Sequence, residues 1–307
     1  MNNQYLARIA YYYYIKNKTQ SEIARLFKVS RQKINRDLKM AQKLGIVKVD
    51  IDFPINSDIE LEANLEENCN LKKAIVIKSS EEILKKELAN AAKEFLDNYL
   101  SDGMTIGVTW GTTLYELAKV LNVKNFKNIK IKQLIGGVNP NYPNLSGENI
   151  ARIFANKLGG SFTSFYLPAI VSDRLTKKIL LEENDTLKAY EGMDKCDLVI
   201  AGVGSIEREN TVSKLGYLSE ENRKLLLQKG IVGDLGLIYY DRKGIPYFEE
   251  GAPISLGYNL FEKPKDMKLM VIAGGEEKAE AIKAILNGKI VDILITDKNC
   301  ANKIVCK

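Results

Sequence analysis

Between residues 19 and 39 the apolar positions recur at helical spacing in two sets, Ile23, Ala24 and Phe27, then Ile34 and Leu38, with a break at Lys28 and Val29. Each set is preceded by a capping signal. Thr19 with Glu22 forms a capping box, and Ser30 stands where it can cap the second helix. Ala24 is small enough for another helix to cross closely. Two amphipathic helices joined by one short turn predict a helix-turn-helix. Upstream, Leu6, Ile9, Ala10 and Tyr13 predict a further helix, with the run Tyr11 to Tyr14 as packed aromatic surface rather than a motif. Downstream, Gly45 ends the second helix of the pair, and residues 46–51 alternate as a short strand would, predicting a small wing.

Phe53-Pro54 breaks the pattern, and residues 57–68 predict a short acidic linker helix with Ile59, Leu61 and Leu65 as its apolar contacts. Beyond it, short apolar strands alternate with amphipathic helices. Strands are expected near 74–77, 104–108, 129–134, 162–166, 198–201, 269–273 and 293–296. That alternation predicts an α/β fold, a doubly wound, Rossmann-like parallel sheet with helices on both faces. Two domains follow, 1–53 and 54–307.

Charge separates the two regions further. Residues 1–50 carry eleven Lys and Arg against Glu22, Asp37 and Asp50, a net of +8, whereas the rest of the chain carries 34 basic against 36 acidic residues. The basic excess lies wholly in the first region, as a DNA reader requires. The polar face of its second helix offers Arg31, Gln32, Lys33, Asn35 and Arg36, the residue types that read base edges and grip phosphates. With Thr19, Gln20 and Ser30 at the helix starts, these are the candidate DNA contacts. The blander alternative is a solvated helix face.

The 307 residues include no histidine and four cysteines, Cys69, Cys196, Cys300 and Cys306, with no CxxC pair. Zinc sites of the usual kinds, Ser-His and Cys-His pairs and histidine bases are therefore excluded, and reduced structural thiols are expected. Neither a metal nor a cofactor is expected. Without a long apolar run or a signal-like N-terminus, no membrane partner is expected and the cytoplasm is the expected compartment.

In parallel sheets ligands sit at the carboxyl ends of strands, which directs attention to the turns there. Gly107-Val108-Thr109-Trp110-Gly111-Thr112-Thr113 follows a strand and opens a helix, where free amides and hydroxyls can cradle an anion, although the Gly-Lys-Ser/Thr ending of a nucleotide loop is absent. Gly136-Gly137, after Gln133-Leu134-Ile135, lets backbone approach a ligand. Ala273-Gly274-Gly275-Glu276-Glu277-Lys278 places a lysine in the first turn of a helix, unfavourable to the helix dipole unless an anion joins it. Asp234 adds a carboxylate suited to sugar hydroxyls. Singly each turn is explained by backbone geometry. Jointly they suit a phosphorylated sugar. Gly202-Val203-Gly204 is a further glycine pair, but Glu207 stands where a dinucleotide fingerprint has its third glycine, which disfavours NAD.

These residues resemble the SorC family of sugar-responsive bacterial transcription regulators, which includes some proteins called DeoR. The resemblance covers nearly the whole chain. It rests on Thr19 to Ala24, Ser30 to Ile34, Gly107 to Leu114, Gln133 to Gly137, Gly233 to Gly236, Ala273 to Ala279 and Leu294 to Asp297. It implies an effector domain similar to sugar-phosphate isomerases and deaminases, joined to the helix-turn-helix, and a homo-oligomer, a tetramer on operator DNA. It also implies that Thr109, Trp110, Gly111, Thr112 and Thr113 hold the phosphate, that Gln133, Gly136, Gly137, Gly274, Gly275 and Lys278 close around it, and that Asp234 takes the hydroxyl end. Some relatives carry a basic residue where this chain has Ile135. A lysine Schiff base there is impossible, and a monophosphorylated sugar, polyol or related metabolite is the implied effector. The resemblance implies a regulator rather than an enzyme; the alternative is a sugar-phosphate isomerase or deaminase with an accessory basic domain.

Overall fold

The computed structural model describes residues 3–48, 58–137, 145–207 and 210–305, which fall into two compact units, Met1–Ile55 and Asn56–Lys307. The first unit is helical. α1 (Asn3–Ala10) runs into a π-helical turn at Tyr11–Ile15, followed by α2 (Gln20–Phe27) and α3 (Arg31–Lys43). Leu6, Ile9, Ile23 and Ile34 are wholly buried, and Tyr12 and Tyr13 pack on the same core. Tyr12 meets the Phe27 ring edge-on at 5.8 Å, and Gln42 Nε2 donates to the Tyr14 hydroxyl at 3.0 Å, so the tyrosine run is packing surface.

The Thr19–Glu22 capping box is present, Lys28 closes α2 in the left-handed conformation (φ 55°), and Ser30 Oγ accepts the Lys33 amide at 3.1 Å. After α3 the amides of Ile46 and Val47 fold back onto the Ala41 carbonyl at 2.9 and 3.2 Å. Residues 45–48 are thus held as a turn, which corrects the expected strand there; 49–51, the rest of that wing, lie outside the described residues.

The second unit begins α4 (Ile59–Cys69), β1 (Lys73–Ile77), α5 (Leu84–Tyr99), β2 (Thr105–Val108), α6 (Thr112–Val120), β3 (Lys130–Gln133), α7 (Gly147–Leu158) and β4 (Ser161–Thr163). It continues with β5 (Ile170–Val171), α8 (Arg174–Glu182), α9 (Asn184–Tyr190), β6 (Leu198–Ala201), β7 (Val203–Ser205), α10 (Thr211–Lys214), α11 (Glu220–Gln228), β8 (Ile231–Leu235) and β9 (Ile238–Asp241). β10 (Pro246–Tyr247), β11 (Ile254–Ser255), β12 (Lys268–Ile272), α12 (Ala279–Asn287), β13 (Ile293–Asp297) and α13 (Lys298–Val305) complete it.

Seven strands form one parallel sheet in the order β1-β13-β12-β6-β2-β3-β4. Alternate side chains feed two cores. Val199, Ala201, Leu269, Val271 and Leu294 face one that includes α4, α12 and α13, while Leu198, Ile200, Met270, Ile272 and Ile295 face another built from α5, α6 and α7. A smaller antiparallel sheet, β10-β9-β8-β7, adjoins the carboxyl side of β6. β4 stops at Thr163, short of the expected 166, because the Phe165 amide turns to the Gln133 side chain. Cys196 and Cys300 are buried and burial pushes both thiols up to about 12; Cys306 lies outside the described residues.

The acidic helix expected as a linker is instead built into the second unit. Leu61 and Leu65 enter its core while Ile59 stays exposed. β1 is an edge strand, and α4 satisfies its outward amides: Val76 N donates to Glu62 Oε1 at 3.0 Å and Ala74 N to Glu66 Oε1 at 2.9 Å. Glu62→Ala leaves a buried amide unpaired and should lower the unfolding free energy by about 1–3 kcal/mol in urea titrations, whereas Glu62→Gln, which keeps the acceptor, should cost clearly less.

Candidate functional site

Strand order reverses beside β2, whose chain continues outward to β3 and β4 on one side while β6, β12 and β13 succeed one another on the other. A crevice opens at the carboxyl ends there. It holds a cavity of about 350 Å³ bounded by Thr109 to Leu114, Gly202 to Ser205, Asp234 and Lys278. The size suits a small metabolite.

α6 opens onto this cavity with no side-chain cap. Its N-cap, Gly111, has φ 122° and ψ 166°, a conformation L side chains rarely adopt, and the first helical bond runs from Tyr115 N to Gly111 O at 3.0 Å. The amides of Thr112, Thr113 and Leu114 are left without a helical acceptor, at the positive end of the helix dipole. The buried Thr109 amide bonds to Ile200 O at 3.2 Å and ties the turn to β6.

Across the cavity, Asp297 accepts the Gly275 amide at 2.6 Å and the Asn299 and Cys300 amides at 3.0 and 3.1 Å, fixing the turn that delivers Lys278. Lys278 has no ion pair among the described residues; burial, and then Lys85, lower its pKa. Lys85 and Lys214 also line the cavity, against the carboxylates of Glu277 and Asp234. Asp234 is 5% exposed; its Oδ2 accepts the Leu237 amide at 3.2 Å and its Oδ1 has no partner among the described residues. Burial pushes its carboxyl up from 3.8 to about 6, against the Leu237 hydrogen bond and the Lys278 charge. Gly204 pairs with Asp234 across the small sheet, and a side chain at Gly204 would collide with Asp234 Oδ1. Such a cavity can take an anion at its amide and lysine end and a hydrogen-bond donor at Asp234.

Residues 53–306 match the family model described as "Putative sugar-binding domain". The chain belongs to that family. It is the sugar-binding family of SorC- and DeoR-type transcriptional regulators, and relatives align along nearly the full length. The Deoxyribonucleoside regulator of Bacillus subtilis is 27% identical over 95% of this chain and 94% of its own. A DeoR family transcriptional regulator from Listeria monocytogenes superposes with a TM-score of 0.73 at 27% identity, over 80% of this chain and 98% of that one. The full-length sorbitol operon regulator SorC from Klebsiella pneumoniae shares the fold, with a TM-score of 0.75 at 24% identity over 99% of both chains.

Within this sugar-binding family member, the expected effector residues divide into two groups. Thr109, Trp110, Gly111, Thr112, Thr113, Asp234 and Lys278 all line the one cavity. Gln133, Gly136, Gly137, Gly274 and Gly275 are not among its lining residues, and each has an internal task. Gln133 is buried, donating to Ile135 O at 2.7 Å and accepting from Phe165 N at 3.0 Å. Gly136 permits close approach, but to the carbonyls of Leu167 and Pro168, and Gly137 bridges to Pro168. A Cβ at Gly274 would stand 2.5 Å from Asp297 Oδ1. Lys85, Gly204, Ser205, Asn210 and Lys214 line the cavity without having been expected. The glycine pair at Gly202 and Gly204, set aside because it fails as a dinucleotide fingerprint, was the available signal for one wall.

In the first unit, Arg31, Gln32, Asn35 and Arg36 are exposed along α3, and Gln20 is partly exposed. Thr19 spends its hydroxyl on Glu22 Oε2 at 2.7 Å. Ser30 accepts an amide but keeps its hydroxyl proton to donate. Lys33 is tied inward: its ammonium lies 3.0 Å from the buried Asp37 Oδ2 and 5.1 Å from the centre of the Tyr5 ring, and Asp37 raises its pKa.

Because the folded chain holds the Asp234 proton up to about pH 6, the stability this group contributes is present below 3.8 and lost as pH rises through 6. Asp234→Asn should therefore be more stable than the parent at pH 7.5 without ligand, by up to about 3 kcal/mol. Urea titrations at several pH values should show that advantage closing toward pH 4.

Proposed function

We propose that this chain is a DNA-binding transcriptional regulator whose operator affinity is set by a small phosphorylated sugar or related metabolite. The observation that carries the effector half is the uncapped first turn of α6 facing Lys278, with the unpartnered Asp234 oxygen in the same cavity. A phosphate accepts the free amides and neutralises the lysines, while a sugar hydroxyl donates to Asp234. Thr109, Thr112 and Thr113 supply hydroxyls beside the phosphate. The rest of the second unit, with its resemblance to sugar-phosphate isomerases and deaminases, is the effector and oligomerisation domain of a cytoplasmic homo-oligomer.

The DNA half rests on α2 and α3 as a helix-turn-helix, with α3 as the recognition helix in the major groove. Arg31, Gln32, Asn35 and Arg36 contact bases and phosphates, Gln20 and Ser30 the backbone. Lys33, held by Asp37, instead stiffens the helix. Effector binding then changes operator affinity by its differential affinity for two states of the protein. One observation favours an enzyme instead: a buried carboxylate titrating near neutrality beside a ligand cavity is a general-base candidate. Turnover of sugar phosphates, with loss of turnover in Asp234→Asn, would select that alternative.

Duplexes selected from a random pool by the full chain provide the operator for a test by fluorescence anisotropy. Arg31→Ala and Arg36→Ala should each weaken binding about tenfold or more with unchanged melting; undiminished affinity in both would remove α3 as the reader. Lys278→Gln should bind the duplex normally yet need at least about tenfold more sugar phosphate to change that binding. A normal response would remove the phosphate assignment.

A further inference from the structure

A second cavity, of about 470 Å³, shares a turn with the first. Gly236 and Leu237, at φ 61° and 65°, form the tight connection between β8 and β9. Gly236 lines the first cavity, while Leu237 and Ile238 line the second. The wall of the second is apolar, with Tyr247, Phe248 and Ile254 joining Leu237 and Ile238. Phe248 remains 50% exposed there, so apolar area is left to be buried.

The other wall is α8 and it is cationic. Arg174, Lys177 and Lys178 line the cavity against a single carboxylate, Glu182. Among the described residues none of the three cations has a carboxylate within 4.0 Å. Arg174 donates to Phe248 O at 2.6 Å and Lys177 to Ser255 O at 2.8 Å, so both cationic heads are oriented by carbonyls, and Lys177 feels the Glu262 carboxylate only from beyond ion-pair distance. Burial lowers the Lys177 pKa. Asp173, the nearest carboxylate in sequence, is committed to capping α8 through Thr176 and Ser172.

We propose that this cavity binds a small organic anion, a carboxylate, sulfonate or phosphate monoester carrying an aromatic or branched aliphatic body. The anionic head meets Lys177 and Arg174, and the body fills the space against Leu237, Ile238 and Phe248. An anion offsets the desolvation of the half-buried Lys177 while the exposed Arg174 and Lys178 add their charges, and the apolar body removes the exposed Phe248 face from water. This ligand differs from a sugar phosphate, whose hydroxyls would face the apolar side chains of Leu237, Ile238 and Phe248.

Anilinonaphthalene sulfonate, titrated into the full chain and followed by its fluorescence, is a suitable probe, with uncharged phenylnaphthylamine as control. The anionic dye should bind saturably, one per chain. Lys177→Gln should weaken it about tenfold, and Glu182→Gln, which removes the only carboxylate of the wall, should tighten it. The uncharged dye should not respond to either change. Unchanged affinity of the anionic dye in both variants, absence of saturable binding, or loss of binding on substituting Leu175 and Ile179 with Ser on the exposed face of α8, would overturn the assignment.

Discussion

Three backbone amides at the start of α6 have no helical acceptor, and the architecture around them leaves them that way. Gly111 stands where Ser, Thr or Asp would cap the helix. Its conformation excludes those residues, so the helix dipole faces the cavity unscreened. The reversal of strand order beside β2 is what makes room in front of it. β6 on the other side sends Gly202 to Ser205 along the opposite wall, and the turn after β12, fixed by Asp297, brings Lys278 alongside. A positive dipole end and a lysine thus converge without a carboxylate of the described residues paired to either.

That arrangement is costly in the empty protein. Among the described residues Lys278 is partly desolvated without an ion pair, and the Asp234 carboxylate is buried with one oxygen unpartnered. Groups held this way destabilise the free fold by amounts that a matching ligand recovers, and their tuning resembles that of functional sites rather than of structural ion pairs. Lys33 and Asp37 differ in that the buried Asp37, although its Oδ1 also lacks a partner among the described residues, pairs through Oδ2 with a lysine of its own helix and holds that lysine inward.

Much of this was legible from periodicity. Apolar runs bounded by turn residues mark the seven parallel strands, because strands buried on both faces need side chains that suit two cores. The capping residues mark α2 and α3, because caps are local chemistry. Contacts made across long stretches of chain were not legible. Nothing near Gln133 in sequence announces that its side chain serves Phe165, nor does Gly136 announce Leu167 as its neighbour. For the same reason Lys85 and Lys214 were invisible: each sits on an ordinary helix and joins the cavity only through the crossing of strands. The acidic α4 read as a linker because its carboxylates looked solvated, whereas two of them complete the edge of the sheet.

On the proposed reading, the cavity at the carboxyl ends of β2 and β6 recognises the anionic end of a small sugar-like metabolite. The decisive test is thermal unfolding of the full chain in the presence of matched sugars and sugar monophosphates. At a hundredfold excess over Kd a ligand specific for the folded state contributes about 2.7 kcal/mol, which raises the midpoint by roughly 4 °C in a chain of this size. At least one monophosphate should do so while its unphosphorylated counterpart does not. Equal shifts from a sugar and its phosphate would contradict the claim, as would phosphates that bind undiminished when Lys278 is replaced by Gln.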